Sequence, residues 1–204
     1  MNSFGNTAGK LSFALAAAAM ALAPVPAFAG WKRITTEATD VGKGAFVVTP
    51  QTEWSRWSSR PSKNGEIWTQ DGFGLNMIHF IGMVGSGETL FKDRQKKDRP
   101  MPKVSGDMLV TDLAELFEAS FSIEYDVTKF DVRALEPAKL GGHDAIRMRY
   151  EFAVPNDALT RVGEARIAMV GGKVYVVNFI APELHYFGQS IAEVNAMMDT
   201  LQIQ

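Results

Sequence analysis

Residues 145–152, AIRMRYEF, alternate without a break. Ile146, Met148, Tyr150 and Phe152 fall on one side, and Arg147, Arg149 and Glu151 on the other. A period of two predicts a strand with one face on a core and one face in water. Glu164 to Val170 and Lys173 to Ile180 flank Gly171-Gly172, which predicts a hairpin. A long strand from Tyr125 to Glu136 is expected before AIRMRYEF, with Gly141-Gly142 as the turn. Leu75 to Val84, LNMIHFIGMV, is apolar in both registers and predicts a central strand covered on both faces. Upstream, Gly44 to Thr49 is a short β-type run ended by Pro50. Thr52 to Ser58 and Glu66 to Gln70 form a hairpin around PSKNG, with Asn64-Gly65 as its turn signal. Gly30 to Thr39 reads as an entry segment.

The period changes to three and four in two places. Leu109, Leu113, Leu116, Phe117 and Ser120 share one face of a helix predicted over Met108 to Ser120, with Asp107 or Thr111 as its cap. Leu184, Phe187, Ile191, Val194, Met198 and Leu201 predict a last helix that starts at Pro182 and contains Gly188. Gly85 to Lys103 follows neither period and reads as a polar excursion from the sheet. The sum is six or seven antiparallel strands flanked by two helices. No strand–helix–strand rhythm of a parallel sheet is present, so the expected class is one α+β domain over residues 30–204.

The first 29 residues follow a different pattern. Lys10 precedes an apolar run, Leu11 to Leu22. APVPAFA then ends in an A-x-A cleavage site at Ala29. That order predicts a cleaved signal peptide and a periplasmic product beginning at Gly30. The run is too short, and too close to prolines, for a membrane span of about 20 residues. The chain has no cysteine, so neither a disulfide nor a lipid anchor on cysteine is available. Losing Lys10 with the leader takes the formal net charge from −2 to −3. A weakly acidic domain has no general attraction for nucleic acid.

The ending, GGKVYVVNFIAPELHYFGQSIAEVNAMMDTLQI, and the opening, GAFVVTPQTEWSR, resemble the Mog1/PsbP-like superfamily over most of residues 44–203. The resemblance implies an αβα sandwich around an antiparallel sheet. It also implies a small accessory or binding protein, of the kind used in photosystem assembly or small GTPase regulation, with no common catalytic residues. The chain is similar as well to exported proteobacterial proteins, through Trp54, Trp57, Trp68, Glu115 to Ser120 and Leu184 to Phe187. Fold alone does not assign function.

Motifs for chemistry are sparse. There is no G-x-S-x-G elbow, and Gly85-Ser86-Gly87 is explained by a turn. His79, His143 and His185 lie far apart without metal-ligand spacing, and VGSGETL lacks the Lys-Ser/Thr of a phosphate loop. Asp112, Glu115 and Glu118 read as a solvated helix face rather than converging acids. Neither a metal nor a cofactor is expected.

Aromatic and basic residues stand out instead. Trp54 and Trp57 have opposite parity on one strand, so one of them is expected on the outer face. Residues 92–103 hold Lys92, Arg94, Lys96, Lys97, Arg99 and Lys103 against Asp93 and Asp98. The candidate interaction surface is therefore Trp54, Trp57, Trp68, Lys96, Lys97, Arg99, His185 and Tyr186. The expected function is a non-enzymatic periplasmic binding or accessory domain whose partner is an envelope protein or small ligand. The alternative is a hydrolase built around His79 or His185.

Overall fold

The computed structural model describes residues 30–94, 97–157 and 159–204. The leader and Lys96 lie outside the described residues. The strands are β1 (Trp31–Ile34), β2 (Thr39–Val41), β3 (Phe46–Val48), β4 (Trp54–Trp57), β5 (Gly65–Thr69), β6 (Met77–Val84), β7 (Lys129–Leu140), β8 (His143–Ala153), β9 (Arg161–Val170), β10 (Lys173–Pro182) and β11 (Gln202–Ile203). The helices are α1 (Val110–Glu124) and α2 (Gly188–Thr200).

Eight strands form one sheet in the order β1-β4-β5-β6-β10-β9-β8-β7, and β11-β3-β2 form a second, small sheet. Every pairing is antiparallel. The strands thus exceed the expected six or seven. Three of them match no expected strand: β1 in the entry segment, β2 at its end, and the two-residue β11. These pieces are too short to show a period, and β1 is exposed along most of its length.

The parity of the strands sorts the core into two layers. Ile78 and Phe80 of β6, Trp54 of β4 and Trp68 of β5 face α2 and the small sheet. Met77 and Ile81 of β6, with Ile146, Met148, Tyr150 and Phe152 of β8, face α1. The excursion is part of this second layer. Leu90, Phe91, Met101 and Val104 are all buried, so its polar stretch is tacked down by two apolar pairs. Clustered in pairs rather than spaced by two or by 3.6, these anchors show no period in the sequence.

Both helices differ from their predicted bounds. α1 runs on to Glu124 because Phe117 and Phe121, four apart, continue its buried stripe. Leu109 precedes its first turn and is exposed, and its backbone N–H donates to Asp112 Oδ2 at 2.7 Å. Pro182 ends β10 instead of starting the last helix. Glu183–Phe187 make a single wide turn with His185 at φ 74°, and α2 begins at Gly188. Leu184 is 82% exposed as a result, while Phe187 and Val194 are buried and Ile191 is half-buried.

Candidate functional site

The face of the main sheet that carries α1 is not covered at its β4–β5 end. There, Trp57 of β4, Ile67 of β5 and Met77 of β6 stand side by side. Trp57 owes its place to parity. Trp54 turns inward to α2, where its indole N–H donates to Glu193 Oε1 at 3.3 Å, and three residues later the strand presents Trp57 on the opposite face. Trp68 is also inward, fully buried, and donates to Glu66 Oε2 at 3.2 Å. Trp54 and Trp68 are therefore core residues and offer no surface to a partner, which corrects their place in the expected set.

Four segments close a cleft of about 300 Å³ around Trp57. The β4–β5 turn contributes Arg60 and Pro61. This turn is seven residues long, and Gly65 serves it by close approach, not by an unusual dihedral. A Cβ there would meet Ser62 Oγ at 2.6 Å and Pro61 Cγ at 2.8 Å. The backbone N–H of Lys92 donates to Pro61 O at 2.9 Å and ties the turn to the excursion. The β5–β6 loop contributes Phe73, held by the buried Asn76. Asn76 Oδ1 accepts from the N–H of Gln70 at 2.8 Å and of Asp71 at 3.2 Å, and its amide donates to Asp71 Oδ2 at 2.6 Å. Trp31 of β1 backs Trp57 and Phe73, with ring centroids at 4.7 and 5.0 Å. The end of α1 contributes Glu124 and Tyr125.

Beyond Phe73, Met77 and Tyr125, the same three residues line a second lobe of about 150 Å³ with Phe152, Val154 and Ile180. The walls of both lobes are largely apolar. Charge sits at the rims. Arg94 bonds Glu124 at 2.6 Å, and Arg161 bonds Asp157 at 2.6 Å and Gly74 O at 3.2 Å. Burial raises the Glu124 carboxyl, and Arg94 partly offsets it. Arg60 differs. Its Nη2 comes no closer than 3.8 Å to Glu66 Oε1, a carboxylate already shared with Arg56 and Trp68. Its Nη1 is buried without any acceptor among the described residues.

Under this cleft lies a buried polar chain. Tyr150 Oη donates to Asn178 Oδ1 at 2.8 Å, which turns the Asn178 amide toward His79 Nδ1 at 3.3 Å. Nδ1 is then an acceptor, so the neutral ring carries its proton on Nε2 and donates it to Tyr125 Oη. The Tyr125 hydroxyl faces Met77 Sδ at 3.6 Å. Burial lowers the His79 pKa to about 4, opposed by the Asn178 backbone, and burial raises both tyrosines. Both ring nitrogens are occupied. Among the described residues no serine or carboxylate hydrogen-bonds His79, so the pairing a hydrolase would use is not made there.

The other expected site residues are scattered. His185 is exposed on the wide turn, edge-on to the half-buried Tyr186 at 5.2 Å. Lys97 is exposed. Arg99 bonds Asp126 Oδ1 at 2.7 Å, and with Arg94 on Glu124 this pairs two of the excursion's cations. A larger depression of about 470 Å³, on the other side of the β4–β5 turn, is lined largely by charged and polar loop residues such as Lys63, Glu88, Lys92 and Lys103. Among the described residues no cluster of three or more His, Cys, Asp or Glu is placed to hold a metal ion. No helix among them is long and apolar enough to cross a membrane.

Fold and cleft together define a layered α+β protein with an antiparallel eight-stranded sheet, a helix on each face and an aromatic groove beside one helix. No protein-family model and no curated protein sequence matches the chain. Among solved structures it is similar to a cyanobacterial PsbP from Synechocystis, at 10% identity over 90% of this chain and 99% of that one, with a TM-score of 0.49. It is also similar to the Ran-binding protein Mog1p of Saccharomyces cerevisiae, at 12% identity over 85% and 95%, with a TM-score of 0.45. A Bacteroides thetaiotaomicron structure aligns over 85% of this chain at 11% identity and a TM-score of 0.48, and the chain spans about half, 48%, of its length.

Proposed function

We propose that this chain is exported to the periplasm, cleaved after Ala29, and acts there as a non-enzymatic binding domain of the Mog1/PsbP-like kind. Its ligand site is the groove lined by Trp57, Ile67, Phe73, Met77 and Tyr125. The groove carries this reading: half-buried aromatic walls around a cavity of about 300 Å³, at the lower end of ligand-site volumes of about 300–1,000 Å³. Apolar surface held open to water by an ordered loop and a helix end is stabilised when a ligand covers it. The leader pattern supports export. His79 supports a non-enzymatic role, because a general base needs a free ring nitrogen beside its nucleophile and Asn178 and Tyr125 take both.

The test is a titration of the exported chain with a neutral amphiphile, decanol, followed by tryptophan fluorescence. Trp57 reports on the groove, so a saturable change is expected. Ile67→Glu, which puts a carboxylate into the floor, should abolish it. A change that survives Ile67→Glu at full strength places the ligand elsewhere and overturns the assignment.

A further inference from the structure

Three arginines border the groove, and their different states point to its ligand. Arg94 is matched by Glu124, and Arg161 by Asp157 and a backbone carbonyl. Each of these pairs is complete in itself. Arg60 and Arg56 instead share a single carboxylate, Glu66, at 3.8 and 3.4 Å, so among the described residues this rim carries one positive charge in excess, and the Arg60 side chain is 37% exposed. A half-exposed guanidinium whose counter-charge is shared attracts an added anion.

The apolar surface runs away from Arg60. It passes Trp57, Ile67 and Phe73, then Met77 and Tyr125, and ends in the second lobe between Phe152, Val154 and Ile180. Building on the groove as the ligand site, we infer that it takes an amphiphilic monoanion. A carboxylate head bonds Arg60, and an unbranched or aryl tail lies along the aromatic floor toward the second lobe. The orientation follows from the rims. The far lobe ends on an ion pair that is already satisfied, whereas the near lobe ends on a guanidinium with donors to offer. A guanidinium presents its N–H groups as a planar fork that matches a carboxylate, so a charged oxygen pair fits Arg60 better than an alcohol does. Phe73 and Tyr125 sit at the junction of the lobes and hold the middle of the tail. The Asn76 hydrogen bonds keep the Phe73 loop in place without ligand, so little ordering is needed on binding.

The experiment compares decanoate, decanol and decylamine on the exported chain, again by tryptophan fluorescence. Decanoate should bind about tenfold or more tighter than decanol, the range expected for a hydrogen bond to a charged group. Decylamine should bind more weakly than decanol. Arg60→Gln should abolish the preference for decanoate over decanol. Arg60→Lys, which keeps the charge, should retain part of the preference, and Lys97→Gln, remote on the excursion, all of it. Equal binding of decanoate and decanol by the unaltered chain overturns the anionic head and leaves the groove standing. A preference that persists in Arg60→Gln overturns the role of Arg60. Failure of all three probes to bind overturns the groove itself.

Discussion

Lowering the pH should destabilise this protein through His79 before the bulk of its carboxylates are titrated. His79 sits on the central strand, completely buried, with its pKa lowered to about 4 from an ordinary 6.5. In the unfolded chain the ring takes a proton near 6.5, and in the folded protein it resists until about 4. The unfolded state therefore binds more protons throughout that window. The stability is fully present above pH 6.5, declines as pH falls, and has been lost by about pH 4. Linkage puts the loss at about 1 kcal/mol at pH 5.5 and about 2–3 kcal/mol at pH 4.5. The cause is local. Protonated Nδ1 would point an N–H at the Asn178 amide, whose orientation Tyr150 fixes. Urea unfolding of the unaltered chain and of His79→Gln, at pH 7.5, 5.5 and 4.5, isolates this group, because the other titrating residues are common to both. The variant should be less stable at pH 7.5, and the gap should narrow by about 2 kcal/mol or more at pH 4.5. A gap that stays constant across the range refutes the argument.

Three further expectations follow from packing and from the leader. Phe187 is buried against Phe179, with the Arg149 guanidinium 4.9 Å above its ring; Phe187→Ala should cost about 3–5 kcal/mol in urea unfolding, and a loss under about 1 kcal/mol would mark the wide turn as peripheral. A Cβ at Gly163 would lie 2.2 Å from Tyr150 Cζ, so Gly163→Ala should cost about 1–3 kcal/mol by forcing Tyr150 off the strand, and an unchanged melting temperature would contradict that contact. N-terminal sequencing of protein from the native envelope fraction should read from Gly30, and an intact Met1 would contradict export with cleavage.

How much of this could be read from the sequence depended on how local each feature is. The alternation of β8 and the Gly171-Gly172 hairpin are written in adjacent residues, and the structure follows them to within two or three positions. The start of the last helix was misread because Pro182 is equally at home at a strand end, and nothing in ELHYF announces a histidine at positive φ. Two cations of the basic excursion, Arg94 and Arg99, are paired by Glu124 and Asp126, which lie about thirty residues downstream and meet them only in the fold. The groove was half legible. The parity of Trp54 and Trp57 says that one faces away from the other. Arg60, Met77 and Tyr125 come from a turn, a strand and a helix end, and no spacing connects them. The His79 chain was invisible for the same reason, since its partners are 46 and 99 residues away.

Methionine methyl spectra test the central claim most directly. Met77 lies in the groove, and Met83 lies in the charged depression beyond the β4–β5 turn. With methyl-labelled methionine and added decanoate, the Met77 resonance should shift progressively and saturate while Met83 stays in place. A shift at Met83 without one at Met77, or no shift at either, would contradict the groove as the ligand site.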